Sequence, residues 1–251
     1  MKRIFLALAI LTAHLLASPA TGAEFDSNGI KLHYTIEGKG EPVVLIHGLH
    51  SSAQLNWQLP GITTALAKDH QVIALDCRGH GQSGKPTADE QYGEAMAEDV
   101  VRLLDHLKLQ QAHVIGYSMG GMVTLKLLVK HPERVKSAVL GGMGWLKTGG
   151  VLQQTWERMP GREGAAVPPA CVRGLGRLAV TETELKAVRV PVTVIVGERD
   201  PVRRLYVEPL QGARPDWPVR IIAGAGHLNC IAKPEFQAEL RKALGSGAGS
   251  R

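Results

Sequence analysis

The stretch that most constrains this chain is Gly116-Tyr117-Ser118-Met119-Gly120-Gly121. Ahead of it runs the extended, apolar segment Ala112-His113-Val114-Ile115, and behind it Met119 to Lys130 has the composition of a helix. A strand that passes into a helix within one residue needs a turn too tight for an ordinary backbone. Gly116 and Gly120 flank Ser118 by two residues on either side, and Gly121 adds room. Side chains at those positions would collide with the adjoining strand and helix once the serine is pushed into a strained conformation. A serine that only caps the helix is the plain alternative, so the rest of the chain must supply partners for it.

The surrounding pattern is alternation. Asn28-Gly29 between two short extended runs, Glu24–Asp26 and Ile30–Ile36, signals a hairpin. Glu41–His50, which ends in His47-Gly48 and a polar loop, and Gln71–Asp76 are apolar runs of the kind found in strands buried on both faces, with a helix expected from about Ser52 to Lys68 between them. A helix near Tyr92–Leu107 then leads to the strand before Ser118. Strands at Val135–Leu140, Val190–Val196 and Val219–Ile222 follow, and a helix over Pro234–Leu244 closes the chain. Such alternation predicts an α/β fold: a mostly parallel sheet with helices on both faces and ligands beyond the carboxyl ends of the strands. With 251 residues and 44% hydrophobic content, one large core and one domain over residues 24–251 are expected.

Residues 1–23 differ in character. Lys2 and Arg3 precede an apolar run from Ile4 to Ala13, and small residues follow over Ser18–Ala23. That is the layout of a secretory signal peptide, predicting export to the periplasm or the medium. A membrane span would need about 20 apolar residues, and His14 and Pro19 interrupt this run early. No cysteine lies in the segment to carry a lipid, so no stable membrane anchor is expected. The formal charge of +6 falls to +4 without Lys2 and Arg3, a mild excess that favours solubility. Only 4% of residues are aromatic and no basic run interleaves with them, so nucleic-acid binding has no support. Cys77, Cys171 and Cys230 are odd in number and far apart, without metal-ligand spacing. They read as buried thiols, and stability is expected to survive reductant.

From about Ile30 to Leu244 the chain resembles an α/β-hydrolase-fold serine hydrolase of the esterase/lipase-like branch. The resemblance rests on His47-Gly48 after the first buried strand, Asp76-x-Arg78-Gly79-x-Gly81-x-Ser83 after the next, and the Gly116–Gly121 turn, which corresponds to the nucleophile elbow G-x-S-x-G. Gly197-Glu198-Arg199-Asp200 and Gly224-Ala225-Gly226-His227 complete it, in that family's order of Ser, Asp, His. The resemblance implies no cofactor and no metal. It also implies a small-molecule ester or related acyl compound as substrate, because branches that open epoxides or cleave carbon–halogen bonds carry Asp where this chain has Ser118.

The chemistry gives each residue type a reason. A serine hydroxyl is a weak nucleophile and needs a base that can take its proton and return it, which an imidazole does near neutral pH. His227, after the last strand, is the candidate base. His47 is expected to brace its own loop, His80 sits in the Arg-Gly loop, and His50 follows too closely on His47 to reach the base position. The base needs a carboxylate to fix its tautomer. Asp200 is the candidate, with Glu198 a weaker substitute and Asp76 expected in a structural ion pair with Arg78. The backbone N–H groups of Leu49 and Met119 are the candidate oxyanion donors.

About 45 residues separate the strand ending near Gly142 from the one starting at Val190, and the family carries a lid here, at about 145–189. Trp145, Leu146, Val151, Leu152, Trp156 and Met159 equally suit packing onto the sheet. Within the same fold a C–C bond hydrolase and a cofactor-free perhydrolase or haloperoxidase remain alternatives to an ester hydrolase. A non-catalytic ligand-binding module is the alternative from another class.

Overall fold

The computed structural model describes residues 21–160 and 164–245. The expected signal peptide lies mostly outside these residues, but its last three are strand residues. β1 (Thr21–Ser27) pairs antiparallel with β2 (Ile30–Glu37), and Thr21, Gly22 and Ala23 face Ile36, Thr35 and Tyr34. The hairpin turns on Asn28 and Gly29, both at positive φ (56° and 83°), as an Asn-Gly turn requires.

β3 (Glu41–Ile46) and β4 (His70–Leu75) are the two buried runs. Between them the single expected helix is broken into a wide π-type turn, Gln54–Gln58, and the short α1 (Ile62–Leu66). Pro60 and Gly61 cause the break: proline withholds a helical N–H, and Gly61 sits at φ 76°. α2 (Glu94–His106) buries Met96, Ala97, Val100, Leu103 and Leu104, an apolar stripe at helical spacing. β5 (Ala112–Tyr117) and α3 (Met119–Lys130) fall where the sequence places them. β6 (Val135–Gly141) is followed by a long excursion holding α4 (Val151–Arg158), α5 (Pro169–Gly174) and α6 (Glu182–Ala187). The chain then returns through β7 (Val192–Gly197), α7 (Glu208–Ala213), β8 (Val219–Ile222) and α8 (Pro234–Ala243).

These strands form one eight-stranded sheet in the order β1-β2-β4-β3-β5-β6-β7-β8. β1, β2 and β4 meet antiparallel, and from β4 through β8 every pairing is parallel. The period-2 geometry of a strand divides the core into two layers. Val44 and Ile46 of β3, with Val114 of β5, pack with α2 and α3, while Val43, Leu45 and Ile115 face Trp57, Ile62, Phe236 and Leu240 on the opposite side. β5 lies at the centre of the parallel part, so whatever follows it stands at the middle of the carboxyl edge.

In the excursion Trp145 and Leu146 are buried in the core, and the Trp145 indole N–H donates to the Val180 carbonyl at 2.7 Å. Trp156 donates to the Tyr206 hydroxyl at 3.1 Å. Val151 is exposed. Packing therefore explains most of its apolar residues. Among the described residues no helix is long and apolar enough to cross a membrane.

Candidate active site

Ser118 occupies the junction of β5 and α3 at φ 54°, ψ −114°, a conformation costly for a residue with a side chain. The turn is held by its own backbone: Ser118 N–H donates to Gly141 O at 2.8 Å, and Gly121 N–H donates to Ser118 O at 2.8 Å. A Cβ on Gly116 would overlap the Gly120 backbone, and one on Gly120 would overlap the Ile46 carbonyl at the end of β3. The two glycines thus allow strand, helix and neighbouring strand to close around the serine.

The Ser118 hydroxyl donates to His227 Nε2 at 2.9 Å, and His227 Nδ1–H donates to Asp200 Oδ2 at 2.7 Å. Asp200 is 3% exposed, and its other oxygen accepts the Val202 N–H at 2.9 Å. A buried carboxylate on Nδ1 leaves the Nε2 lone pair free to face the serine. The loops after β5, β7 and β8 therefore bring together Ser118, Asp200 and His227, residues up to 109 positions apart in sequence.

Several contacts fix the His227 loop. Gly197 lacks a side chain where one would strike Ala225 O, and Arg199 N–H donates to that carbonyl at 2.8 Å. Glu198, the weaker candidate carboxylate, instead accepts the Gly224 N–H at 2.7 Å and so secures the turn. Tyr117, beside the serine, donates its hydroxyl to the His227 carbonyl and lies with its ring 5.6 Å from the imidazole. Burial and the nearby Cys230 and Asp200 push the Tyr117 phenol up, keeping it a donor. Nothing in the sequence singled out this hydroxyl, since an aromatic at the end of a strand usually serves packing.

Leu49 and Met119 border the same serine. Met119 opens α3, so its N–H has no partner within the helix, and among the described hydrogen bonds the Leu49 N–H has none either. Gly48 N–H, by contrast, donates to Asn56 Oδ1 at 2.7 Å. His47 braces the loop as expected: Nδ1 bonds Gly48 O at 2.7 Å and Nε2 accepts the Cys77 N–H at 3.0 Å. Burial lowers its pKa, keeping the ring neutral as this donor–acceptor pattern demands. His80, 5.0 Å from the His47 ring, is lowered to about 3 by burial and then by His47.

The expected Asp76–Arg78 ion pair does not form. Asp76 turns inward to accept the Ala53 N–H at 2.8 Å, the Gln82 N–H at 3.0 Å and His33 Nδ1 at 3.1 Å. Arg78 runs the other way, to α2, and clasps Asp99 through Nε at 2.6 Å and Nη2 at 2.5 Å, with Ser27 of β1 on the same carboxylate. Loop N–H groups claim the first carboxylate, and the guanidinium finds a better bidentate partner on the buried face of α2.

A cleft of about 340 Å³ opens over the serine, lined by residues 48–51, Asn56, Tyr117, Ser118, His227, Leu228 and Ile231. No Lys or Arg, and no described residue of the excursion, is among them.

A mostly parallel sheet that presents Ser, Asp and His, in that chain order, from strand ends along one edge is the arrangement of an α/β hydrolase. The chain belongs to the alpha/beta hydrolase fold family, whose model matches residues 41–178. That match takes in Leu49, Ser118 and Met119, while Asp200 and His227 lie beyond it and are placed by the geometry.

Among similar proteins, 2-hydroxymuconate semialdehyde hydrolase of Pseudomonas sp. (strain CF600) is 40% identical over 128 residues, covering 50% of this chain and 44% of that one. The dihydrolipoyllysine-residue acetyltransferase component of the acetoin cleaving system of Pseudomonas putida is 41% identical over 117 residues, 45% of this chain and 30% of its own. The chain thus spans less than half the length of these relatives. Among solved structures, 2-hydroxy-6-oxo-6-phenylhexa-2,4-dienoate hydrolase from Rhodococcus sp. strain RHA1 superposes with a TM-score of 0.72 at 21% identity, covering 92% of this chain and all of that one. An epoxide hydrolase from Vigna radiata gives 0.72 at 19% identity, covering 90% and 98%. At such identities the likeness concerns the fold alone.

Proposed function

We propose that the protein is a serine hydrolase that cleaves a carboxylic ester, or a related small acyl substrate, through an acyl-enzyme. The observation that carries this reading is the continuous Ser118–His227–Asp200 chain of hydrogen bonds, at 2.9 and 2.7 Å. As Ser118 Oγ attacks the carbonyl carbon, His227 Nε2 takes its proton, and Asp200 stabilises the imidazolium that results. The carbonyl oxygen becomes an oxyanion beside the Leu49 and Met119 N–H groups, each worth roughly 3–4 kcal/mol in comparable sites. The imidazolium returns its proton to the departing alkoxide, and water activated by the same imidazole releases the acid. An ester is favoured because its alkoxide needs the least help in leaving.

The test is chemical. A phosphonate ester that mimics the tetrahedral state should label Ser118 alone, and Ser118→Ala should lose about 10³–10⁶ of kcat on p-nitrophenyl esters while remaining folded. Labelling of another residue, or substantial hydrolysis by Ser118→Ala, would refute the reading and favour a ligand-binding module.

A second reading, hydrolysis of a C–C bond, is favoured by the similarity to 2-hydroxymuconate semialdehyde hydrolase. It uses the same triad and differs in substrate. Comparing kcat/KM for p-nitrophenyl esters with that for 2-hydroxymuconate semialdehyde separates the two. We also propose that the protein works outside the cytoplasm, on the strength of the Lys2-Arg3 and Ile4–Ala13 pattern. Release after Ala23 would remove three of the seven β1–β2 pairs, so cleavage at Ala20 preserves more of the sheet.

A further inference from the structure

Asn56 stands in the cleft without a part in the triad. Its carboxamide has two ends, and only one is engaged: Oδ1 accepts the Gly48 N–H at 2.7 Å. Among the described residues its Nδ2 has no hydrogen-bond partner, and the side chain lines the cleft beside Ser118, Leu49 and His227. Gly48 lies between the two residues. A Cβ there would be 3.3 Å from Ser118 Cβ and 3.5 Å from Asn56 Oδ1, so the amide lies within reach of a small acyl group held at the serine.

The local fold fixes this placement. The wide turn over Gln54–Gln58 closes with Leu59 N–H donating to Gln54 O at 2.9 Å, and Asn56 N–H donates to Ser52 O at 3.0 Å. Trp57, the next residue, is fully buried in the core layer with Ile62 and Phe236. With Trp57 locked inward, Asn56 is carried outward to the cleft. Its bond to Gly48 then selects the orientation of the amide. Because Oδ1 holds a donor, the NH₂ end is the one left to the cleft. The bond also takes Gly48 N–H out of play, leaving Leu49 N–H as the free donor of that loop.

We infer that Asn56 is a specificity-determining residue, whose Nδ2–H donates to an uncharged acceptor oxygen one or two atoms from the scissile carbonyl. The substrate class is an ester whose acyl group bears such an oxygen, as an alkoxy or second carbonyl group. A carboxylate there would find no Lys or Arg among the described lining residues, which argues for a neutral acceptor. Leu49 and Met119 already serve the reacting oxygen, so Asn56 reads the substituent. This inference rests on the serine-hydrolase reading above.

An isosteric pair of substrates tests it. p-Nitrophenyl methoxyacetate and p-nitrophenyl butyrate differ by an oxygen in place of a methylene, and their inherent reactivity difference cancels when enzymes are compared. Two variants serve: Asn56→Asp keeps the acceptor for Gly48 N–H and loses the NH₂ donor, and Asn56→Leu loses both without adding charge. In both, the kcat/KM ratio of methoxyacetate to butyrate should fall about tenfold below the wild-type ratio, the size expected for one neutral hydrogen bond. A ratio unchanged in the folded variants, even with both rates reduced, would overturn the inference while leaving the serine reading intact. Wild-type protein that cleaves neither ester and takes no phosphonate label would overturn both.

Discussion

Asp200→Asn is the sharpest perturbation of the triad, because the buried carboxylate serves two donors at once. Oδ2 accepts from His227 Nδ1 at 2.7 Å and Oδ1 accepts the Val202 N–H at 2.9 Å. An asparagine has one oxygen for two donors, and both of its orientations fail. With the oxygen toward Val202, the NH₂ faces His227 and forces Nδ1 to accept, which puts the proton on Nε2 and removes the base from Ser118. With the oxygen toward His227 the tautomer is right, but the NH₂ meets the Val202 N–H, leaving a buried donor unpaired at about 1–3 kcal/mol. The competent orientation is then populated at about 15% or less, and even it lacks the negative charge that stabilises the imidazolium. Together these losses give a kcat lower by about 10⁴, or about 5.5 kcal/mol of barrier. The assay is kcat on a p-nitrophenyl ester alongside the urea midpoint, which should move little because no volume changes. Activity above a tenth of wild type would refute the reasoning. So would a loss of activity explained by unfolding.

Two further outcomes follow from the surroundings. Tyr117→Phe keeps the ring against His227 but removes the donor to its carbonyl; kcat should fall about tenfold and stability by about 1 kcal/mol, with KM little changed, and a wild-type kcat would show that the hydroxyl does not place the imidazole. His80 stays neutral in the fold down to about pH 3 but is protonated in the unfolded chain below about 6.5. The unfolded state therefore binds the extra proton across that window, and stability should drop as pH falls from 6.5 toward 3, by at most about 1.4 kcal/mol per pH unit. His80→Asn should show a shallower decline in urea midpoints between pH 6 and 4, and an unchanged slope would contradict the assignment.

The parts legible in the sequence are those fixed by local rules. Buried parallel strands announce themselves as apolar runs, and a glycine-flanked serine between strand and helix leaves one backbone solution, so β5, α3 and Ser118 fall where the pattern puts them. Asp200 and His227 were legible because each follows a strand, and parallel topology sends every strand's carboxyl end to one edge. What the sequence hides is partner choice across distance. Arg78 prefers Asp99 to its near neighbour Asp76 because α2 turns that carboxylate inward, a matter of helix rotation rather than sequence spacing. Asn56 sat inside an expected helix, and the break at Pro60-Gly61, though visible as residues, gave no sign that a π-type turn would carry the amide to the cleft. The excursion showed itself as a gap between strands, but the packing of Trp145 against Val180 required the fold.

The three cysteines have a practical consequence. Cys77, Cys171 and Cys230 are all free and buried. Burial lifts Cys77 well above an ordinary thiol and raises Cys171 and Cys230 to about 12. At pH 7 a thiol of that pKa is ionised about once in 10⁵ molecules, and only the thiolate alkylates at a useful rate. The folded chain should therefore react only slowly with maleimides. Val151, 78% exposed at the start of α4, could then be replaced through Val151→Cys to give a single reactive sulfur without stripping the native ones. A fluorophore there would report directly whether the excursion shifts when the cleft is filled.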